Sequence, residues 1–359
     1  MLLGIETSCD ETALCFYSTD GDIEPASRVV FEVISSQAKL HGEYGGVVPE
    51  LAAREHIKNL PVLISEACQN EDVDLSNLKA IAVTQGPGLK GCLLVGVSFA
   101  KALAHSLEIP LIPVNHLEAH IFSGFLLDKK EQPEYPFLAL LVSGGHTALI
   151  YVKSFRDYEV IAETRDDAAG EAFDKGAVLL GLSYPGGPQV SKHAEKGDKD
   201  KYFLPIGMPQ DMTAFSFSGL KTALARKKSE NEEDFSNQIL SDLCASYQKT
   251  IIDSLLIKSK AAVENLKPKS FLLTGGVAAN KSLRERFAKM LKEKNVRFCA
   301  VPPKWCTDNA VMVAALACEM YFNDEQRFLN WKYDRLNDEI GPDVPMSLAA
   351  KPRWSVEDS

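Results

Sequence analysis

The stretch Leu2-Leu3-Gly4-Ile5-Glu6-Thr7-Ser8-Cys9-Asp10-Glu11-Thr12-Ala13-Leu14-Cys15-Phe16 reads as an apolar strand, a polar turn over Glu6–Thr12 and a second apolar strand. The same figure returns over Phe137–Val152. There a strand (FLALLV) and a strand (ALIYV) flank the turn Ser143-Gly144-Gly145-His146-Thr147. The two align on Thr12-Ala13-Leu14 and Thr147-Ala148-Leu149. A second pair of segments follows. Lys79–Leu103 runs strand, Thr84-Gln85-Gly86, then a helix containing Phe99-Ala100-Lys101. Lys269–Leu291 runs strand, Thr274-Gly275-Gly276, then a helix containing Phe287-Ala288-Lys289. Order is kept although identity is weak. A hairpin followed by strand, glycine turn and helix in both halves predicts an internally duplicated α/β protein.

The length of 359 residues suits two domains. The first lobe is expected over 1–130, joined by a C-terminal helix at about 308–330. The second is expected over 131–307 with a charged, helical insertion at about 158–237, and 331–359 reads as a polar tail. Within the insertion, KHAEKGDKDK from Lys192 and RKKSENEED from Arg226 read as solvated loops or helix faces.

A hydrophobic share of 45% and a charged share of 25% describe a globular chain, not a disordered or fibrous one. No apolar run is long enough for a membrane-spanning helix. The net charge of -10 excludes a uniformly basic nucleic-acid coat and leaves room only for a local patch. None of the 8 cysteines forms C-x-x-C, so neither a zinc ribbon nor a thioredoxin motif is offered. Most lie in apolar runs and read as the reduced thiols of a cytoplasmic protein. A strand beginning at Leu2 is expected to leave no room for a signal peptide.

His116-Leu117-Glu118-Ala119-His120 places two imidazoles on one helix face, a turn apart, where they can share a metal ion. Two surface histidines are the plain alternative. Glu118 is two residues from each histidine and points roughly opposite, so it cannot be the base of a zincin. A third ligand must come from elsewhere. Asp308, in Cys306-Thr307-Asp308-Asn309-Ala310 at the head of an apolar helix, can supply it, although an N-cap role suits it equally. Adjacent Asp10 and Glu11, near a phosphate-bearing ligand, must either bind a cation or move protons, unless they are a solvated turn.

Gly86-Pro87-Gly88-Leu89-Lys90-Gly91 fails as a Walker A loop because Cys92 and Leu93 follow, and reads as a tight strand-to-helix turn. The glycines of Ser143–Thr147 let backbone amides approach an anion, with Ser143 and Thr147 adding hydroxyls. A plain glycine hairpin is the alternative. Paired through the repeat with Gly275-Gly276, this turn predicts a nucleotide in an interlobe cleft. In Gly170-Glu171-Ala172-Phe173-Asp174-Lys175, Asp174 can accept from ribose hydroxyls, while Glu171 and Lys175 form an i,i+4 pair.

Together, GIETSCDETA from Gly4, VTQGPGLKGCLLVG from Val83, NHLEAH from Asn115, LVSGGHT from Leu141, GEAFDKGA from Gly170, YPGGP from Tyr184, FSFSGLKTA from Phe215, LTGGVAAN from Leu273 and CTDNA from Cys306 resemble one family. It is the tRNA threonylcarbamoyladenosine transferase family, TsaD in bacteria, formerly described as O-sialoglycoprotein endopeptidase. The motifs run in order from Ile5 to Ala315, and CTDNA resembles the bacterial type.

The resemblance implies two lobes of actin/Hsp70/sugar-kinase-like (ASKHA) fold with a ligand cleft between them. It implies transfer of a threonylcarbamoyl group from threonylcarbamoyl-adenylate, with release of AMP. The acceptor would be the exocyclic amine of the adenosine 3′ of the anticodon, in tRNAs reading codons that begin with A. It implies one divalent metal, iron or zinc, held by His116, His120 and Asp308. Leu141, Val142, Ser143, Gly144, Gly145, Asp174, Gly187 and Asn280 would bind the adenylate, and Asp10 and Glu11 would lie catalytically near the reacting carbonyl. The implied partners are tRNA, an inactive TsaB-like paralogue docking on the first lobe and a small TsaE-like P-loop ATPase, with no membrane. Leu60–Cys68 and Val95–Leu107 are candidate docking helices, with core roles as the alternative. The paired histidines leave a metalloprotease as one alternative function, and the glycine turns leave an ATP-dependent kinase or ATPase of the same fold as another.

Overall fold

A computed structural model describes residues 1–231, 235–323 and 348–359. The end of the expected C-terminal helix beyond 323, the tail over 331–347 and the acidic residues 232–234 lie outside the described residues. The chain divides into two compact units, one of 1–37, 47–132 and 308–359, the other of 38–46 and 133–307. Ala38–Gly46, part of the expected first lobe, groups with the second unit.

In the first unit a five-stranded sheet takes the order β3 (Val29–Ser36), β2 (Glu11–Tyr17), β1 (Leu2–Glu6), β4 (Ala80–Gly86), β5 (Leu111–Asn115). β1 runs antiparallel to β2 and parallel to β4, with Gly4 opposite Cys15 and Ala82. Every residue of β1 and β4 is buried, as a sheet covered on both faces requires. α1 (Ala38–Gly42) belongs to the other unit. α2 (Pro49–Ala67) and α3 (Lys90–Leu107) cover one face, where Leu3 and Ile5 share a core with Leu60, Leu63, Val97 and Ala100.

The short α4 (His116–Phe122) continues from β5. The opposite face of β1 is the one that Leu2, Gly4 and Glu6 share, since side chains alternate along a strand. A Cβ on Gly4 would lie 2.6 Å from the carbonyl of Ala310 in α11 (Ala310–Asn323). Glycine therefore lets that helix press against the strand. Glu6, two residues on, is carried to the same face.

The second unit holds a six-stranded sheet in the order β11 (Arg297–Ala300), β10 (Ser270–Thr274), β6 (Phe137–Val142), β7 (Thr147–Ser154), β8 (Asp157–Thr164), β9 (Ala214–Phe215). β6 pairs antiparallel with β7 and parallel with β10, as β1 does with β2 and β4. With β6, β7, β8, β10 and β11 matched to β1–β5, both sheets share one strand order, and the duplication is one of topology.

One consequence corrects the insertion expected from 158. β8 is the counterpart of β3, so the extra segment begins only after Thr164. Charge hides this strand: Glu159 and Glu163 are exposed while Ala162 between them is buried. After it come α5 (Ala169–Leu179), α6 (Gly186–Ala194), α7 (Ser218–Ser229), α8 (Asn237–Leu266), α9 (Lys281–Glu293) and α10 (Pro303–Cys306). The core of the unit includes Tyr247 and Leu255 of α8. Lys258 of the same helix is buried and donates to the carbonyls of Met208 and Asp211, tying down a long loop.

All eight cysteines are free; six are buried, Cys9 is half-buried and Cys68 is exposed. Among the described residues no helix is long and apolar enough to cross a membrane.

Candidate functional site

The first unit gathers His116, His120 and Asp308 at the end of its sheet. β5 ends at Asn115, whose side-chain oxygen accepts from the backbone N–H groups of Leu117 and Glu118 and so starts α4. That cap fixes the first turn, and the spacing of four sets the two imidazole rings edge to face, with centroids 4.7 Å apart. Asp308 does not cap α11. Its neighbour Asn309 does, accepting from Met312 N–H at 3.0 Å. Asp308 is thereby left to the histidines: its Oδ1 lies 3.1 Å from Nε2 of His120 and 3.4 Å from Nε2 of His116. One ligand atom from each of the three residues falls within 4.8 Å of the others. Both histidines are buried, contrary to the surface alternative, and Glu118 is buried too but stands outside this group.

The donor set fits a divalent ion of the zinc or iron kind, which favours imidazole nitrogen combined with a carboxylate. The local field fits as well. Burial works against a charge on His116, but Asp308 and Glu6 outweigh it and raise the imidazole well above its ordinary value. Burial likewise works against ionisation of Asp308, yet the two histidines hold its carboxyl well below the usual range. His120 is lowered, chiefly by burial. A site that stabilises a proton between the Glu6 and Asp308 carboxylates also favours a cation, which displaces that proton on binding.

Asp10 and Glu11 stand at the mouth of the first hairpin. Asp10 is buried, and the Ser36 hydroxyl donates to Glu11 Oε1 at 3.2 Å. Burial first, then the charges of Asp10 and Asp308, push Glu11 up to about 9. Asp308 thus acts electrostatically on this turn. Burial and the Asp10 charge raise the Cys9 thiol well above its ordinary value, which excludes it as a nucleophile at neutral pH.

The turn is clamped by His56, which nothing in the motif reading singles out. Its Nδ1 lies 2.8 Å from Thr12 Oγ1 and its Nε2 2.9 Å from the Cys9 carbonyl, so one ring from α2 spans both ends of the acidic turn. His56→Ala is expected to lower stability by about 1–3 kcal/mol, because buried polar groups lose their partner. Urea unfolding checks this; an unchanged midpoint would refute the clamp.

The other expected residues lie on the second unit. Gly275, at φ 92°, sits where a Cβ would be 2.4 Å from the Val142 carbonyl. A Cβ on Gly170 would be 2.4 Å from the Ser143 carbonyl. Glycine at these two points brings the end of β10 and the start of α5 against the turn after β6. Ser143–Gly145, Gly170 and Gly275 therefore converge. A Cβ on Gly144 or Gly145 would meet nothing within 4 Å, so the protein's own packing does not require glycine there. Leu141 and Val142 are fully buried, leaving only their backbone for a ligand.

Several side chains expected to face a ligand have partners inside the unit. Thr147 Oγ1 accepts from Ala169 N–H, and Ser143 Oγ from His146 N–H. Asp174 Oδ1 accepts from Gly186 N–H at 2.7 Å, which sets the start of α6 and hence Gly187. Asn280 caps α9 through Leu283 N–H and donates to Gln248. A cavity of about 500 Å³ in this unit, bordered by Lys199, Phe203 and Lys249, contains none of the expected residues.

The family model of tRNA N6-adenosine threonylcarbamoyltransferase matches residues 28–315. A curated protein of that name from Synechococcus sp. (strain JA-3-3Ab) is 47% identical over 88% of this chain and 86% of its own length. One from Magnetococcus marinus is 45% identical over 91% of this chain and 94% of its own. Among solved structures, T. kodakarensis HypF superposes with a TM-score of 0.57 at 14% identity, covering 90% of this chain and 48% of HypF. The activator of the 2-hydroxyisocaproyl-CoA dehydratase from Clostridium difficile does so at 0.51 and 10% identity, over 91% of this chain and 97% of its own. These two likenesses concern the fold alone, which is of the actin/Hsp70/sugar-kinase class.

Proposed function

Because the chain belongs to the tRNA N6-adenosine threonylcarbamoyltransferase family, we propose that it transfers a threonylcarbamoyl group from threonylcarbamoyl-adenylate to the N6 amine of the adenosine 3′ of the anticodon, in tRNAs reading codons that begin with A. The observation that carries the reading is the convergence of His116, His120 and Asp308 beside the acidic turn of Asp10 and Glu11. Neither a metalloprotease nor a kinase-type ATPase is favoured by that family.

The donor is a mixed carbamic–phosphoric anhydride and is already activated, so no protein nucleophile is needed. The amine nitrogen attacks the carbamoyl carbon, the bond to the phosphate oxygen breaks, AMP leaves and the amine gives up one proton. The protein must hold AMP as leaving group and align the amine. One of the Asp10–Glu11 carboxylates takes that proton. His116, His120 and Asp308 would hold a divalent ion, which would supply Lewis acidity and a template for the threonyl part. The open turn Gly144–Gly145 and the segment Gly275–Asn280 offer backbone amides to the adenylate phosphate. Asp174 and Gly187 are assigned to its ribose side, although one oxygen of Asp174 is already held by Gly186.

tRNA is the macromolecular substrate in this reading, with a TsaB-like paralogue and a TsaE-like ATPase as partners and the cytoplasm as the place of action. The helix stretches first considered for docking are amphipathic: Leu60, Leu63, Val97 and Ala100 lie on their buried faces, while most of the rest of each stretch is exposed or half-buried. The exposed apolar residues on α2 and α3 are Ile57, Val62 and Leu94, and these support the paralogue reading.

The basic residues 192–228 are partly engaged. Arg226 and Lys227 pair with Glu230, and Lys228 donates to the Leu179 carbonyl. Lys192, Lys196, Lys199 and Lys201 remain for phosphates. Binding of tRNA by the isolated chain should be weak, with log K falling against log salt at a slope of about -3 for about four phosphate contacts. Filter binding from low to physiological salt checks it, and tight, salt-independent binding would contradict it. The reading itself is tested by mass spectrometry of nucleosides from tRNA incubated with the chain, its partners and threonylcarbamoyl-adenylate.

A further inference from the structure

Glu6 is fully buried at the end of β1, and no part of the proposed chemistry uses it. A carboxylate there is costly unless its oxygens are satisfied, and they are. Oε1 accepts from Ser8 N–H at 2.5 Å. Oε2 accepts from Thr84 Oγ1 at 2.6 Å and lies 3.1 Å from Nδ1 of His116. Burial tends to raise this carboxyl, but His116 and then Thr84 hold it below its ordinary value. With both oxygens already accepting, from Ser8 N–H and the Thr84 hydroxyl, the carboxylate's other neighbour is the imidazole.

That contact fixes which nitrogen of His116 is available. Nδ1 donates its proton to Glu6, with Ser8 Oγ at 3.3 Å as the other neighbour. Nε2 is then left on the side of Asp308, 3.4 Å from Oδ1. A histidine that donates one N–H to a carboxylate presents its other nitrogen as a better-oriented, more basic ligand.

We propose that Glu6 is a positioning residue for the metal centre: it locks His116 in the tautomer and ring orientation that aim Nε2 at the ion. The inference rests on the reading of His116, His120 and Asp308 as metal ligands. It also explains two motifs. Strand alternation puts Glu6 of GIETSCDETA on the α11 face, and Thr84 of VTQGPGLKG is the hydroxyl that secures it from the neighbouring parallel strand. Gly96 serves the same corner: a Cβ there would lie 2.1 Å from Thr7 Oγ1, so glycine lets α3 close over the end of β1.

The test uses the full chain and two probes, Zn²⁺ titrated against a chromogenic chelator and the visible spectrum of bound Co²⁺. Glu6→Gln keeps the shape and removes the charge. It should weaken Zn²⁺ by about 10–100-fold, the usual range for such outer partners, and shift or broaden the Co²⁺ bands. Saturating metal should restore much of the turnover, which a merely structural defect would not allow. Thr84→Val, which leaves the carboxylate but removes its anchor, should act in the same direction by less, and it serves if Glu6→Gln does not fold. Affinity within twofold of wild type in either folded variant, with an unchanged Co²⁺ spectrum, overturns the inference and leaves the metal site standing. A wild-type chain that binds neither ion overturns both.

Discussion

Replacing His116 and His120 together by alanine is expected to strip the metal from the chain and to lower tRNA threonylcarbamoylation by about 10³-fold or more, since Lewis-acid stabilisation of several kcal/mol is lost. The expectation follows from geometry. Both Nε2 atoms converge on one oxygen of Asp308, and both rings are buried. Asp308 alone offers a single carboxylate, too few donors for a zinc- or iron-type ion. The variant also leaves buried Glu6 and half-buried Asp308 without their cationic partner, which destabilises the unit by up to about 3 kcal/mol. Circular dichroism must therefore accompany the metal analysis. A folded double variant that keeps a full equivalent of metal would show that the ion, if any, lies elsewhere.

The second large effect is expected at the acidic turn. Asp10→Asn and Glu11→Gln, made separately, should leave metal content unchanged, and the residue that takes the amine proton should lose about 10²–10⁴-fold in turnover. The other should lose less, through positioning alone. Asp10 is buried, whereas Glu11 is half-buried and accepts from the Ser36 hydroxyl, so the two carboxyls are not equivalent and their variants should not behave alike. Single-turnover assays with saturating donor separate the chemical step from binding. Wild-type rates in both variants would remove the turn from the mechanism. Loss of metal along with activity would move the carboxylate into the metal site.

Much of this was legible in the sequence because glycine and alternation leave plain marks. The two hairpins and the two strand–glycine–helix segments are where the pattern places them, since each needs a polar or glycine turn between apolar runs. The i,i+4 histidines were legible for the same reason, being a property of one short helix. Asp308 was harder: Asp and Asn stand side by side at the helix start, either can cap, and only tertiary placement shows that Asn309 does.

Glu6 and His56 were not legible at all. One looks like the last residue of a strand before a polar turn, the other like one more polar residue on α2. Their roles depend on contacts 110 and 44–47 residues away along the chain. β8 was hidden by its charges, because a half-solvated strand carries as many acidic residues as a helix face does. For Asp174 and Asn280, side-chain chemistry suggested ligand contact. The fold also uses the same atoms to start α6 and α9, a local use that residue type does not distinguish from binding.

This chain, with its metal and partners, is expected to modify the adenosine next to the anticodon. The most direct measurement is a single incubation of metal-loaded chain, paralogue, ATPase, threonylcarbamoyl-adenylate and unmodified tRNA, followed by nucleoside mass spectrometry and AMP quantitation. Threonylcarbamoyladenosine is expected at the position 3′ of the anticodon, matched by one AMP per modified tRNA, with neither product above background from the double-histidine variant. Unmodified adenosine with intact donor, from folded, metal-loaded protein and all partners present, would contradict this expectation.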